Sequence, residues 1–214
     1  MRIQAPGQSR ARWILSVGLG AMVALSASGH ALAASSWTDP AGDALFRAPA
    51  YADVVAGNVA QDGGTYVFTM TVAAPIPSTP QLTAPGIEAL RWAMALDLDP
   101  ATAPAGWPAA PGDPRSAQAL APEGFMAVIW DGSGFSAAWF DRRPLLTGGT
   151  YTMTSVPFEI DGATVTIWLD GDLIGNPTSF RVGFATAAVT VELGTLVDAK
   201  QVLDGLSPFL NQWP

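Results

Sequence analysis

The sequence predicts an all-β fold, an antiparallel β-sandwich of the jelly-roll-like kind. Apolar and polar residues alternate along most segments, as they do in strands that cover a core with one face. Turn signals such as Asp161-Gly162 recur between these segments, and glycine favours tight hairpin turns because it accepts positive φ without steric cost. Helical periodicity is almost absent, which argues against a helical or mixed fold.

The alternating pattern predicts about eight strands. They are Asp53–Val59, Thr65–Val72, Glu88–Leu98, Phe125–Trp130, Phe135–Asp141, Thr150–Ile160, Ala163–Asp170 and Ser179–Val189. The proline-rich stretches 74–86 and 100–122 are predicted loops, because proline cannot donate to a strand ladder. In the tail, Leu193–Leu206 carries apolar residues at helical spacing, which predicts a short C-terminal helix.

The first 33 residues are organised like a secretory signal peptide. Arginines precede the apolar stretch Ile14–Ala27, and Ala31-Leu32-Ala33 is the small-residue pattern cut by signal peptidase. We therefore expect residues 34–214 to form one β-sandwich domain that is secreted or periplasmic. An uncleaved leader acting as an anchor is the competing interpretation. No later stretch reaches the roughly 18 apolar residues of a membrane helix.

Composition excludes several kinds of chemistry. The only histidine, His30, lies in the predicted leader, and the chain has no cysteine. Mature protein would therefore lack the groups of Ser-His, Cys-His and His-based zinc sites. The net charge of −8 makes nucleic acid an unfavourable partner. No glutamate lies in a recognisable acid–base motif for glycoside hydrolysis, so we expect no enzymatic activity.

Two pairs of aspartates are candidate metal ligands. Asp39 and Asp43 flank a Pro-x-Gly turn, and Asp97 and Asp99 lie two apart at a strand end, where their side chains share a face. Carboxylate oxygens are ligands that Ca²⁺ prefers, so the sequence predicts one calcium site built from all four. The alternative is a polar turn and a solvated strand end with no metal.

The order of these features resembles that of family 9 carbohydrate-binding-module-like, or DOMON-like, secreted β-sandwich proteins. The residues concerned are Asp39-Pro40-x-Gly42-Asp43, Pro49, Asp53 before a valine-rich strand, and the strand end Leu96–Asp99. The resemblance implies sugar or haem ligands and, in some members, structural calcium. The 100–122 loop and the tail depart from the family layout. Without histidine, haem ligands would come from Met70, Met94, Met126, Met153 or Lys200.

Three tryptophans are candidate ligand-binding residues: Trp130, Trp139 and Trp168. In the hairpin 125–141, the predicted register leaves both faces apolar, so either both are covered or one binds a ligand. Trp168 lies on an otherwise polar face, which suits an exposed stacking residue. We therefore expect a non-catalytic module for carbohydrate or cell-surface glycan. The alternatives are a structural or surface-assembly domain and a DOMON-like haem-binding domain.

Overall fold

The computed structural model describes residues 34–44, 48–81, 87–99, 123–189, 199–205 and 211–213, and these residues are arranged in antiparallel strands. The strands are β1 (Ala34–Thr38), β2 (Val54–Asp62), β3 (Thr65–Val72), β4 (Ala89–Asp97), β5 (Gly124–Trp130), β6 (Phe135–Asp141), β7 (Thr152–Ser155), β8 (Phe158–Asp161), β9 (Thr164–Asp170), β10 (Phe180–Val189), β11 (Ala199–Gly205) and β12 (Asn211–Trp213). Helical structure within these ranges is limited to the short 3₁₀ segments Ala50–Ala52, Arg143–Thr147 and Gly171–Leu173. No helix in the described ranges is long and apolar enough to cross a membrane.

The strands form two sheets. The smaller sheet has the order β1-β2-β3-β9-β8, and the larger has the order β11-β10-β4-β5-β6-β7. The short strand β12 pairs with the first residues of β10, on the same edge where β11 pairs with the last residues of β10. The chain crosses between the sheets after β3, β7 and β9. All strand pairs among the described residues are antiparallel, as the sequence pattern predicted.

The core lies between the two sheets and is lined by large apolar side chains. Alternate residues of β3, including Phe68 and Met70, meet alternate residues of β4, including Trp92 and Met94. A glycine is required at position 57 of β2, because a Cβ there would overlap the ring of Phe184 in β10 of the facing sheet. The alternation that predicted the strands therefore also assigns these residues to the core.

The sandwich prediction is confirmed, and three elements differ from the sequence-based expectation. The segment Thr150–Ile160 is not one strand: β7 belongs to the larger sheet and β8 to the smaller sheet. The chain changes sheets at Val156-Pro157, where proline cannot continue a ladder. In addition, β1 precedes the first predicted strand and pairs with β2.

The expected C-terminal helix is wrong for residues 199–205, which form strand β11. The free edge of β10 explains this outcome, since pairing there satisfies backbone groups of both strands along five residue pairs. Apolar residues at helical spacing over so short a segment stabilise a helix less than pairing with an available sheet edge stabilises a strand. The predicted leader 1–33, the loop 100–122 and residues 193–198 and 206 lie outside the described residues.

Candidate functional site

Two of the three candidate tryptophans lie in the core. Trp130 is 5% exposed and Trp139 is 1% exposed. The ring of Trp130 packs 4.9 Å from that of Phe135, its predicted partner across the hairpin. Trp139 packs over Gly124, where a Cβ would overlap its indole ring. These two rings face the interior between the sheets, so they do not form an open stacking platform with Trp168.

Trp168 remains at the surface of the smaller sheet. Its side chain is half-buried on the face of β9 that points away from the core, opposite Val67 of β3. Its backbone N–H donates to the carbonyl of Pro157 at 3.1 Å, which ties β9 to the start of β8. Of the three candidates, Trp168 alone keeps part of its ring available to a ligand.

The outer face of the larger sheet carries a line of three aromatic rings and one arginine that we name the outer aromatic row. It consists of Tyr151, Phe140, Phe125 and Arg91, which succeed one another from the edge of the sheet to its centre. Centroid separations are 6.4 Å for Tyr151–Phe140 and 4.5 Å for Phe140–Phe125, and the Arg91 guanidinium carbon lies 5.1 Å from the Phe125 centroid. Phe140 and Arg91 are buried, whereas Tyr151 is 37% exposed.

The edge of this face also presents an apolar side chain to solvent. Met153 of β7 lies opposite Phe140 and is 64% exposed. Every residue of β7 is exposed. The outer face is therefore buried at the centre of the sheet and open along β7.

Asp39 and Asp43 lie beside a third carboxylate, that of Asp53, and we name these three residues the Asp53 turn. The backbone N–H of Gly42 donates to Oδ2 of Asp53 at 2.7 Å. Asp53 is 4% exposed, and its Oδ1 is buried without a hydrogen-bond partner. Partial burial and the charges of Asp43 and Asp53 raise the pKa of Asp39. Repulsion among these carboxylates is what a bound cation would relieve.

Asp97 belongs to a different group, the Asp97–Glu123 cluster, which also contains Arg142 and Arg181. Asp97 ends β4, and Glu123 comes directly before the neighbouring β5, so the strand register places them side by side. The backbone N–H of Leu98 donates to Oε2 of Glu123 at 2.7 Å. Burial, followed by the charge of Glu123, raises the pKa of Asp97 to about 6.

Arginines balance the charge of this cluster. Nη1 of Arg181 lies 3.5 Å from Oδ2 of Asp97, and the two residues are opposite each other on β10 and β4. Arg142 is buried and interacts electrostatically with Glu123. Asp99 is exposed and adds a smaller repulsion to Asp97. The cluster thus resembles an internal ion-pair network more than an open cation site.

The four aspartates predicted to share one calcium ion lie at opposite ends of the sandwich. The backbone carbonyl of Asp53 accepts from the N–H of Ala73, directly after the end of β3. Near the start of β3, Tyr66 packs against Phe180, whose neighbour Arg181 pairs with Asp97. The six residues of β3 between Tyr66 and Ala73 separate the two ends by about 20 Å. This corrects the expected single site. Within the described residues, no group of three or more His, Cys, Asp or Glu side chains is arranged to hold a metal ion.

Three residues of these groups were missed by the sequence analysis: Glu123, Asp53 as a ligand candidate, and Arg91. Glu123 follows the 100–122 segment, so its proximity to Asp97 depends on the β4–β5 register rather than on spacing along the chain. Asp53 was assigned to the start of a strand. Arg91 alternates with inward-facing residues, a position that usually indicates a solvated side chain.

The methionines considered as haem ligands lie partly in the core and partly at the surface. Met70, Met94 and Met126 are fully buried between the sheets. Met153 is on the surface of β7, and the side chain of Lys200 lies outside the described part of the chain. The three core methionines pack as apolar residues of the interior.

No family model matches this chain, and no curated protein is significantly similar to it. The function must therefore be inferred from what the described groups can do.

The buried carboxyl groups and the outer aromatic row offer different chemistry. Glycoside hydrolysis needs two carboxyl groups on either side of the bond, about 5 Å or 6.5–9.5 Å apart. Asp97 and Glu123 instead contact each other directly and are buried. A sugar bond has no space between them. The outer aromatic row, in contrast, offers a partly exposed ring at Tyr151, whereas Phe140 and Arg91 are buried.

Proposed function

We propose that this protein is a secreted, non-catalytic binding module with carbohydrate or a cell-surface glycan as its ligand. The observation that carries the proposal is the outer aromatic row, in which Tyr151 and Phe125 keep surface exposure and Phe140 between them is buried. Flat apolar rings beside polar edges are the surfaces on which sugar rings stack. The family resemblance of the sequence agrees with this ligand class.

A pair of aromatic substitutions tests which face binds. Tyr151→Ala alters the outer aromatic row, and Trp168→Ala alters the only candidate tryptophan that keeps surface exposure. We expect Tyr151→Ala to weaken glycan binding about tenfold, equivalent to roughly 1.4 kcal/mol, while Trp168→Ala leaves it unchanged. Glycan-array binding followed by calorimetry measures both. The reverse result would move the site to the smaller sheet, and an array with no bound glycan would contradict the proposal.

Assembly between copies of the protein is the second candidate function, and the edge strand β7 is what favours it. A fully exposed strand with an apolar residue at its centre, Met153, can pair with another strand. Light scattering across a range of concentrations detects such assembly. If the wild type forms dimers or larger species and Met153→Lys is monomeric, assembly is the function of this edge. A monomeric wild type excludes it.

Secretion is part of the proposal and has its own test. The arginine-rich start, apolar stretch and Ala31-Leu32-Ala33 pattern support cleavage after Ala33. Mass spectrometry of exported protein should find an N-terminus at Ala34 or Ser35. Exported material that retains Met1 would exclude the cleaved form.

Calcium binding is proposed for the Asp53 turn alone, where the three carboxylates are not arranged as a metal-binding group in the described structure and would have to converge on the ion. The unpartnered, buried Oδ1 of Asp53 is the feature that fits a cation, since a buried carboxylate oxygen is normally satisfied by a donor or a metal. Asp43 is exposed and Asp39 half-buried, so both can rotate towards a bound ion. Backbone carbonyls and water would complete the six to eight oxygens that Ca²⁺ takes.

A further inference from the structure

The exposed large hydrophobic side chains of the described residues all lie in or just before β7, at one edge of the larger sheet. They are Leu146 at 45% exposure, Tyr151 at 37% and Met153 at 64%. No residue from 144 to 158 is charged, although the chain carries a net charge of −8. An exposed apolar stretch without charge on an acidic protein indicates a surface that contacts another protein.

The next edge strand along the chain, β8, shows what β7 lacks. β8 forms the edge of the smaller sheet, and its Glu159 and Asp161 are exposed. Charged residues on an edge strand oppose pairing with another chain. The sequence of β7 is Thr-Met-Thr-Ser, and its register with β6 has no bulge. Within the described ranges β6 is the sole strand partner of β7, so the other side of β7 is open to a further strand.

The register with β6 determines which backbone groups of β7 point to that open side. The N–H of Val156 donates to the carbonyl of Ala137 at 3.2 Å, one step beyond the pair of Ala138 and Ser155. Hydrogen-bonded and non-hydrogen-bonded pairs alternate along an antiparallel ladder. Every second residue of β7 therefore bonds to β6, and the residues between them direct their backbone groups away from it. The outward groups are the carbonyl of Tyr151 and the N–H and carbonyl of Met153 and of Ser155.

We propose that β7 pairs with β7 of a second copy of this chain, antiparallel and about a two-fold axis at Met153. The inference rests on the second candidate function, assembly between copies, and specifies the strand and the register of that assembly. In this register the two Met153 residues exchange two hydrogen bonds. The N–H of each Ser155 donates to the carbonyl of the partner's Tyr151.

Neighbouring registers use the outward groups less well. An axis at Thr154 would place the carbonyl of Tyr151 opposite Pro157, which has no N–H to donate. An axis at Thr152 would place Ser155 opposite Gly149, which lies outside the strand. The axis at Met153 therefore pairs the outward groups within residues 151–155, and it also brings the most exposed apolar side chain of each copy against its equivalent.

The second copy is the occupant that fits this edge because the edge is complementary to itself. A strand that pairs antiparallel with its equivalent forms an isologous contact, which closes as a dimer. The uncharged edge brings two acidic chains together without direct contact between like charges. Five paired residues span about 17 Å, so the interface lies at the small end of the known range and we expect a dissociation constant on the order of 100 µM.

Cysteine cross-linking tests the register, because the chain has no cysteine of its own. Hydrogen-bonded antiparallel partners have Cα atoms about 5.5 Å apart, a distance that a disulfide spans. The two copies of residue 155 would be about 14 Å apart in the same dimer. Under mild oxidation at equal concentration, we expect Met153→Cys to form a linked dimer at least tenfold faster than Ser155→Cys, measured on non-reducing gels. Equal rates would refute the axis at Met153.

Proline substitution at adjacent positions tests the direction of the backbone groups. Ser155→Pro removes an outward N–H and keeps the exposed apolar side chains, whereas Thr154→Pro removes an N–H that bonds to β6. We expect Ser155→Pro to weaken the dimer at least tenfold while the dilute protein melts as wild type does, and Thr154→Pro to lower the melting temperature. Wild-type association of Ser155→Pro would mean that side chains, not strand pairing, hold the copies together and would overturn the proposal.

Lysine substitution at two edges separates this interface from assembly in general. Met153→Lys and Ser36→Lys add the same charge at exposed positions of edge strands, β7 and β1. Sedimentation velocity from about 1 µM to about 1 mM covers the expected dissociation constant. We expect wild type and Ser36→Lys to dimerise and Met153→Lys to remain monomeric. Dissociation by Ser36→Lys alone would keep assembly and refute the β7 interface. A wild type that is monomeric throughout would refute both, and the glycan array would then decide the leading function independently.

Discussion

The two ends of the sandwich both hold a buried carboxylate oxygen without a hydrogen-bond partner, on Asp97 and on Asp53, but they differ in the positive charges nearby. In the Asp97–Glu123 cluster, buried carboxyl groups lie beside Arg142 and Arg181. In the Asp53 turn, the charges that act on Asp39 are those of two other aspartates, and within the described ranges none of these residues forms an ion pair with arginine or lysine. Acidic residues in a sequence therefore do not indicate one role. Internal arginines make the first group part of the fold, whereas the second group lacks a counter-charge and suits an external cation.

The largest expected effect on stability comes from removing a carboxylate of the Asp97–Glu123 cluster. Glu123→Ala removes the acceptor of the Leu98 N–H and the carboxylate charge that acts on the buried Arg142. We expect the free energy of unfolding in urea to fall by about 3–5 kcal/mol, the usual result of breaking a buried pair. Asp43→Ala in the exposed turn is the control, with a change within about 0.5 kcal/mol. Equal losses in both variants would abolish the distinction between the two ends.

The pH dependence of stability is the second way to separate the clusters. Burial raises the pKa of Asp97 from 3.8 to about 6, so the folded state binds this proton more tightly than the unfolded state. The stabilisation is complete below the unfolded pKa and is lost as pH rises towards 6, for a total of roughly 3 kcal/mol. Asp97→Asn carries no such proton and should lack this loss.

The measurement is the difference in unfolding free energy between wild type and Asp97→Asn from pH 4 to pH 7. We expect the variant to gain stability relative to wild type across this window and to stay level above it. A difference that does not change with pH would show that Asp97 keeps its charge throughout the folded state. Asp43→Asn, in the exposed turn, provides the comparison.

The sequence predicted the strands because their signal is local: alternation in β3 or β9 is visible without knowledge of the partner strand. It predicted the Trp130–Phe135 pairing for the same reason, since a short turn joins the two strands. It could not place Glu123 beside Asp97, because 25 residues of chain intervene and only the β4–β5 register brings them together. It could not distinguish a core tryptophan from a surface one in a strand that is apolar on both faces.

Addition of calcium should stabilise the protein through the Asp53 turn and not through the Asp97–Glu123 cluster. If Ca²⁺ binds the folded Asp53 turn, wild type should gain about 2.7 kcal/mol of stability when free calcium is one hundred times the dissociation constant. Asp53→Asn should lose this response, and Asp97→Asn should keep it. Melting curves with calcium and with chelator provide the measurement. Identical midpoints for wild type in both conditions would exclude the site, and a response abolished by Asp97→Asn would place it at the other end.

The smallest expected effect is that of Asp53→Asn in chelator. The amide oxygen can still accept from the Gly42 N–H, so the 2.7 Å hydrogen bond of the turn has a replacement. The amide nitrogen takes the position of the unpartnered Oδ1 and can donate to a carboxylate such as Asp39, whose repulsion by Asp53 also ends. We expect a gain of up to about 1 kcal/mol, the usual net value of one hydrogen bond. Loss of stability in chelator would mean that the Asp53 charge already has a partner in the fold and is not reserved for a cation.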